Sequence, residues 1–554
     1  MSIDIETYRL KAQEAIEYVF VKEYHNSLGI PMPIVKMLLP DDANYSTGQY
    51  YITIDKTWQI HLNFGKLPIS YHEFQNEVKV LTRHEIEHYM CCPFDVITHF
   101  RMLKRIRDVY YKHFSHLGIN IEYACGAISN QAADIIVDTK NYYRHSKETL
   151  KSEIDWIKIG ANISACPRHC KLMFLTKEAI WKEDLGINET DPDFLKIVHQ
   201  LADSFTKNGI EDKSSFLDKV EEYAEIFFKL YVEDQKNPQQ SSQQGSQQES
   251  GQWGVGRPKD GDEHGNAFVF AGPDKVKEAI EVLAEETSVE EFIDLLAIAG
   301  IIGMSDKQKG VLWFNVQSAN IIPIVEFSNT GNKSSYTYPS VWRIGDPIEE
   351  LDLMLTYMTS PRLIPGMTTK KWEYVSNDDN GTESKQMDLL LVVDTSGSMG
   401  SVMKESANMH QAVLASYGIL SYFESTKSKV AFIGFSDKID AYVDWSDKYD
   451  DVRERLLTNG HGGTKFPISR IKSTLDVRSR DLVTVLITDG DLGNINESVS
   501  YFRDYLNDDN KLYIFLLGGS KSLHSYEPLK NIGAKIYNAN NANEFCDMVL
   551  TDME

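Results

Sequence analysis

The chain has 554 residues, 42% apolar and 25% charged, the balance of an ordinary globular protein, and it is too long for one core, so two to four domains are expected. Its formal net charge of -24 argues against nucleic acid or an anionic membrane as a partner. There is no run of about 18 apolar residues, the acidic start lacks the basic and apolar regions of a signal peptide, and six cysteines in so long a chain make no disulfide scaffold, so a cytoplasmic protein with reduced thiols is expected.

Residues 4–27 mix apolar and charged residues at helical spacing and predict a helix. From 50 to 64 the period changes to two. Ile52, Ile54, Trp58, Ile60, Leu62 and Phe64 alternate with polar residues, and Asp55-Lys56-Thr57 reads as a turn. A small antiparallel sheet is therefore expected ahead of the next helix.

The next helix carries His84-Glu85-Ile86-Glu87-His88, a His-Glu-x-x-His pattern that is rare by chance among 15 histidines. Positions four apart share a helix face, so His84 and His88 can grip one metal ion, with Glu85 beside it. Zinc in such a site lowers the pKa of its water to about 7, and Glu85 is then placed as general base. Phe74, Val78, Leu81 and His88 keep helical spacing, and Pro93 closes the helix. The neighbouring Cys91 and Cys92 read as packing residues.

A zinc site needs a third protein ligand. Asn130, Asp134 and Asp138 fall at i, i+4 and i+8 of a second predicted helix, among Ala, Ile and Val. Polar groups buried there need partners, and a metal or a metal-bound histidine would supply them. The bland alternative is a solvated polar face. Asp134 is the chosen ligand, with Asn130 first and then Asp138 as alternatives; otherwise Asn130 and Asp138 hydrogen-bond the ligands. Cys166-Pro-Arg-His-Cys170 invites a second metal reading through Cys166, His169 and Cys170, but with no partner pair elsewhere it is read as a polar turn.

Residues 145–233 read as several amphipathic helices. Gln235 to Gly251 is almost free of apolar residues and reads as a flexible linker. The expected organisation is a metal-site domain over 1–233, a linker over 234–266, a mixed α/β connecting module over 267–385 and a final domain over 386–554. In the module, helices are predicted near 274–303, and strands at Val311–Val316 and Ile321–Phe327.

The last segment alternates buried strands at 388–393, 429–435, 482–487 and 511–517 with helical stretches, which predicts a parallel, doubly wound α/β sheet. Ligands of such sheets bind at the carboxyl ends of the strands, where Asp394 and Asp489 fall. Asp394-Thr-Ser396-Gly-Ser398 follows the first strand, Thr464 lies in His461-Gly-Gly-Thr-Lys465, and Asp489 follows the third strand.

In these residues the segment 386–554 resembles a von Willebrand factor A (VWA) domain, whose metal-ion-dependent adhesion site uses Asp-x-Ser-x-Ser, a distant Thr and a distant Asp. The resemblance implies a Rossmann-like fold and Mg²⁺, or another divalent cation, on Asp394, Ser396, Ser398, Thr464 and Asp489, with a coordination position open to a partner's carboxylate. With Asn-x-Ala-Ala-Asp at Asn130–Asp134 after His-Glu-x-x-His, the whole chain is similar to bacterial and archaeal proteins that join a zincin-like metallopeptidase to a VWA domain. Thermolysin-like proteins carry a ligand Glu where this chain has Asn130. The resemblance implies a mainly α, zincin-like N-terminal domain with a small sheet, and a MoxR-type AAA+ ATPase as partner.

The expected function is a zinc-dependent endopeptidase acting on protein substrates, with zinc on His84, His88 and Asp134, Glu85 as base, and partner or substrate recruitment through Mg²⁺. The rival expectations are a non-hydrolytic adaptor that couples an AAA+ ATPase to protein remodelling, and a metal-cofactor insertion factor.

Overall fold

The computed structural model describes the chain apart from residues 1–4, 27, 30, 39–49, 55–58, 65–69, 94, 160–162, 237–272, 302, 322–334, 343–369, 376–386, 479–480, 491, 493, 509, 519–522 and 540–554. The expected turn at 55–57, nearly all of the linker and the strand expected at 321–327, apart from Ile321, lie outside the described residues. Two compact units emerge, Met1–Lys309 and Gly310–Glu554.

The first unit is mainly helical. Helix α1 (Ile5–Tyr18) leads to strands β1 (Ile34–Leu38), β2 (Tyr50–Ile54) and β3 (Gln59–Phe64). The sheet has the order β1-β3-β2, with β1 parallel and β2 antiparallel to β3. It is thus mixed and not antiparallel as expected, because Ile34–Leu38 supplies a strand that the two-residue alternation of 50–64 did not reveal.

Helix α2 (Tyr71–Met90) carries the His-Glu-x-x-His residues and starts at a capping box, in which Ser70 and Glu73 satisfy each other's backbone N–H groups. Phe74, Val78 and Ile86 bury one face of α2 against Tyr8, Ala12, Ala15 and Ile16 of α1 and Ile60 and Leu62 of β3. At about 100° per residue, His84 is two steps from Ile86 and so stands on the opposite side of the helix. On the side away from Ile86, His84 and His88 meet α4 (Ile121–Ile159) through Asp138 and Asp134.

Every residue of α4 from Gln131 to Asn141 is buried, so this is the central helix of the unit and its carboxylates are not a solvated face. Helix α4 departs from helical geometry at His145. Helices α3 (Val96–Val109), α5 (Arg168–Trp181) and α7 (Phe216–Lys236) pack around it, and α6 (Pro192–Thr206) packs on α5 and α7. Cys166 and Pro167 form a bend, as expected, but the rest of Cys166–Cys170 is helical. Arg168 opens α5, and buried His169 bonds Asp234 through Nδ1 at 2.8 Å. Helices α8 (Pro273–Glu286) and α9 (Val289–Ile298) also belong here, since both pack on α3.

The residues Val311–Val316, expected as strand, lie within helix α10 (Asp306–Ile321). Ser305 and Gln308 form its reciprocal cap, which overrides the β preference of the apolar run. Strands β4 (Ser335–Val341) and β5 (Lys370–Val375) form an antiparallel pair.

The second unit is built on a six-stranded sheet of β6 (Asp388–Asp394), β7 (Val430–Phe435), β8 (Ile439–Ser446), β9 (Leu482–Thr488), β10 (Lys511–Leu517) and β11 (Lys535–Ala539), in the order β11-β10-β9-β6-β7-β8. All pairings are parallel except that of β8 with β7, so the sheet is mixed and not wholly parallel. The antiparallel strand follows from the tight turn at Ser436–Lys438, which is too short for a crossover. Strands β6, β7 and β9 are buried on both faces, which is why they read as unbroken apolar runs. The order of strands reverses between β6 and β9, and a crevice opens outside their carboxyl ends at such a point.

Candidate metal centres

In the first unit α2 and α4 bring His84, His88 and Asp134 together as the one potential metal-ligating cluster among the described residues. His84 Nδ1 donates to Asp138 Oδ1 at 2.7 Å, and His88 Nδ1 donates to the Cys92 carbonyl at 3.1 Å. With both Nδ1 atoms protonated, both Nε2 lone pairs face inward in the neutral rings. The two Nε2 atoms lie 3.0 Å apart, and Asp134 Oδ1 is 3.2 Å from His88 Nε2 and 3.5 Å from His84 Nε2. Asn130 Nδ2 donates to the other oxygen, Asp134 Oδ2, at 3.0 Å.

Three converging acceptors at this range repel one another unless a cation or a proton stands between them. A tetrahedral ion with ligand bonds of about 2.0–2.1 Å separates its donors by about 3.3 Å, close to the spacing seen. Two imidazoles and one carboxylate are also a zinc donor set. The local field agrees. Burial works against protonation of His84, yet Asp138, Asp134 and Glu85 outweigh it and raise its pKa to about 9. This pocket wants positive charge. Asp134 and Asp138 are 4% and 8% exposed, so water does little to screen them.

Two neighbouring groups had no signature in the sequence. Lys177 of α5 donates to Asp138 Oδ2 at 2.9 Å and pairs with Glu153. Glu87, wholly buried, takes Lys140 at 2.7 Å, Arg144 at 2.9 Å and the Tyr24 hydroxyl at 2.9 Å. Both clusters join residues far apart in the chain, so no local spacing could have announced them.

In the second unit Asp394 ends β6 and Asp489 follows β9, on the two sides of the switch point. Asp394 Oδ1 accepts the Ser396 N–H at 2.9 Å and its Oδ2 accepts the Thr488 hydroxyl at 2.6 Å. The Ser396 and Ser398 hydroxyls are 3.1 Å apart, and Ser398 donates to Asp489 Oδ1 at 2.9 Å. Asn408 Nδ2 holds Asp489 Oδ2 at 3.1 Å. Thr464 lies two residues past Gly462, whose carbonyl accepts the Gly397 N–H at 3.3 Å, so its loop lies against the Asp394–Ser398 turn. Burial raises the pKa of Asp394, against hydrogen bonds from Thr488 and Ser396. Buried carboxylate oxygen and clustered hydroxyls are hard donors suited to Mg²⁺.

No protein family matches the chain, and no curated protein does. Among solved structures the chain is similar to one described as "Crystal structure of conserved hypothetical protein BatB from Bacteroides thetaiotaomicron", at 12% identity over 30% of this chain and 98% of that one, with a TM-score of 0.25. A likeness that weak carries no argument about either metal centre. Among the described residues no helix is long and apolar enough to cross a membrane.

Proposed function

We propose that the protein is a zinc-dependent metallopeptidase acting on protein substrates, in which a zincin-like N-terminal part is joined to a VWA domain. One observation carries the reading: His84 Nε2, His88 Nε2 and Asp134 Oδ1 converge on one point, each ligand fixed from behind by Asp138, the Cys92 carbonyl or Asn130. Zinc held there supplies Lewis-acid activation of water and of a scissile carbonyl. The chain's residues do the rest. Asp138 keeps His84 in the tautomer whose Nε2 faces inward, and Cys92 does the same for His88. Glu85, whose charge is felt at His84, takes the proton from the attacking water and returns it to the leaving amine.

The decisive experiment compares wild type with Glu85→Gln by cleavage profiling over a whole proteome, with and without a MoxR-type AAA+ ATPase. The variant keeps shape and zinc and is expected to lose hydrolysis by about 10²-fold or more. Equal cleavage by the two proteins would end the peptidase reading.

The second centre supports recruitment of a partner. In this reading Mg²⁺ on Asp394, Ser396, Ser398, Thr464 and Asp489 binds a carboxylate of a partner protein, with a MoxR-type AAA+ ATPase as the proposed partner. The same centre favours one rival, a non-hydrolytic adaptor that couples that ATPase to protein remodelling or metal-cofactor maturation. ATPase stimulation without any Glu85-dependent cleavage would select the adaptor. The cytoplasm is the proposed location for either.

A further inference from the structure

Behind the histidine pair runs a chain of side chains from three helices. His84 of α2 bonds Asp138 of α4, Asp138 bonds Lys177 of α5, and Lys177 pairs with Glu153, again of α4. We propose that Lys177, tethered by Glu153, is a positioning residue for the metal centre: it holds Asp138 as an aimed carboxylate and thereby fixes the His84 ring that presents Nε2 to zinc. This rests on the reading of His84, His88 and Asp134 as a zinc site.

The side chain of Lys177 is only 2% exposed. An ammonium there is expensive to bury, and an apolar residue of similar volume would serve stability as well or better. Its geometry gives it another use. Asp138 has two oxygens, one for His84 at 2.7 Å and one for Lys177 at 2.9 Å, so the carboxylate cannot turn without breaking one bond. Lys177 itself cannot swing away. Its ammonium lies 5.2 Å from the Phe174 ring centroid and 6.0 Å from that of Trp181. Trp181 stacks on Tyr142 at 4.7 Å and donates to the Thr139 hydroxyl at 3.0 Å. Burial alone would drive the lysine toward its neutral form, but Asp138 and Glu153 hold its pKa above the ordinary value. Supports bonded directly to a ligand, as Asp138 is to His84, typically change metal affinity by about 10–100-fold, and loss of Lys177 forfeits the aim of that support.

The test measures zinc affinity of the full-length protein by chelator competition, with circular dichroism and melting as controls for folding. Lys177→Met alone would strand two buried carboxylates, so it is paired with Glu153→Met. The folded double variant is expected to bind zinc about 10–100-fold more weakly, while Lys177→Arg, which keeps the charge and the donor, stays within about 3-fold of wild type. In nitrogen-15 spectra of the zinc-free protein, recorded above the His84 pKa of about 9 where the ring is neutral, wild type should show His84 as the single Nδ1–H tautomer and the double variant a mixture. A merely structural role would lower the melting temperature and leave affinity and tautomer alone. That result overturns the proposal. If the double variant does not fold, Lys177→Gln with Glu153→Gln stays polar and removes the charges, and the glutamine amide, one atom shorter than the lysine ammonium, gives up the bond to Asp138. About 10-fold weaker zinc binding by this pair supports the proposal, and unchanged affinity overturns it. Wild type that binds no zinc removes both the zinc reading and this one. Weakened binding in a protein that cleaves nothing leaves this inference standing and removes only the peptidase.

Discussion

Asn130, Asp134 and Asp138 stand one helical turn apart on α4, yet they meet three different partners. Asp134 faces both Nε2 atoms, Asp138 meets the Nδ1 of His84, and Asn130 bonds the far oxygen of Asp134. Removing either histidine should abolish tight zinc binding, and Asp134→Ala should weaken it by about 100-fold or more, while Asn130→Ala costs about 10-fold, as metal analysis would show. Zinc retained in Asp134→Ala and lost in Asn130→Ala would make Asn130 the ligand. A second residue makes a pH prediction. Burial, opposed by the Ser152 hydroxyl and reinforced by Asp155, raises the pKa of Glu77 on α2 from 4.5 to about 7. The folded state therefore holds this proton where the unfolded chain has lost it, and stability falls as pH rises from about 4.5 through about 7. Glu77→Gln should remove that slope and gain on the order of 2 kcal/mol over wild type at pH 8, with little difference near pH 4.5. Urea midpoints across this range check it, and parallel curves for the two proteins would contradict it.

At the scale of an element, α2 shows how a motif is aimed. Its capping box fixes where the helix starts, and Phe74, Val78 and Ile86 fix which side faces the core. Ser70→Ala should cost about 1 kcal/mol, read as a lower melting temperature of the first unit, without altering zinc content. Helix α10 makes the opposite point. Val311-Leu-Trp-Phe-Asn-Val316 has a strand's composition, but Ser305-x-x-Gln308 is a helix start that could have been read ahead of it. Trp313 and Phe314 are buried beside His410, and Phe314 also packs on Tyr417, so helical spacing is what makes their burial possible.

For the molecule as a whole, the unit boundary at Lys309 makes a different division of labour from one drawn at the linker. Glu286 pairs with Arg101, Asp294 holds Arg107 at 2.8 Å, and Phe292, Leu295 and Leu296 are buried. A fragment over residues 1–309 should thus fold with its zinc. One ending near Val232 lacks α8 and α9, exposes their apolar seat on α3 and should melt at least about 5 °C lower. Equal melting of the two fragments would show that these helices add nothing. The second unit should gain stability from Mg²⁺, by about 2.7 kcal/mol at 100 times its dissociation constant. Asp394→Ala with Ser396→Ala should erase that gain, and Mg²⁺-dependent partner binding with it, while zinc content stays the same. A thermal shift that survives both changes would place the Mg²⁺ elsewhere.

Much of both centres was legible because it is local. His-Glu-x-x-His and Asp-x-Ser-x-Ser are spacings along one helix or one turn, and the strands β6, β7, β9 and β10 announce themselves as apolar runs because both their faces are buried. Asn130, Asp134 and Asp138, at i, i+4 and i+8 of α4, were equally visible, though only as a face. What that face meets was decided by tertiary packing, which sets α4 against α2 and α5 and so selects Asp138 for His84 and Lys177 for Asp138. The parallel pairing of β1 with β3, and the seating of α8 and α9 on α3, were decided there too. Periodicity along a chain records which side of an element avoids water. It holds no record of which distant element will cover that side, because that choice is made by shape and charge matched across the whole fold.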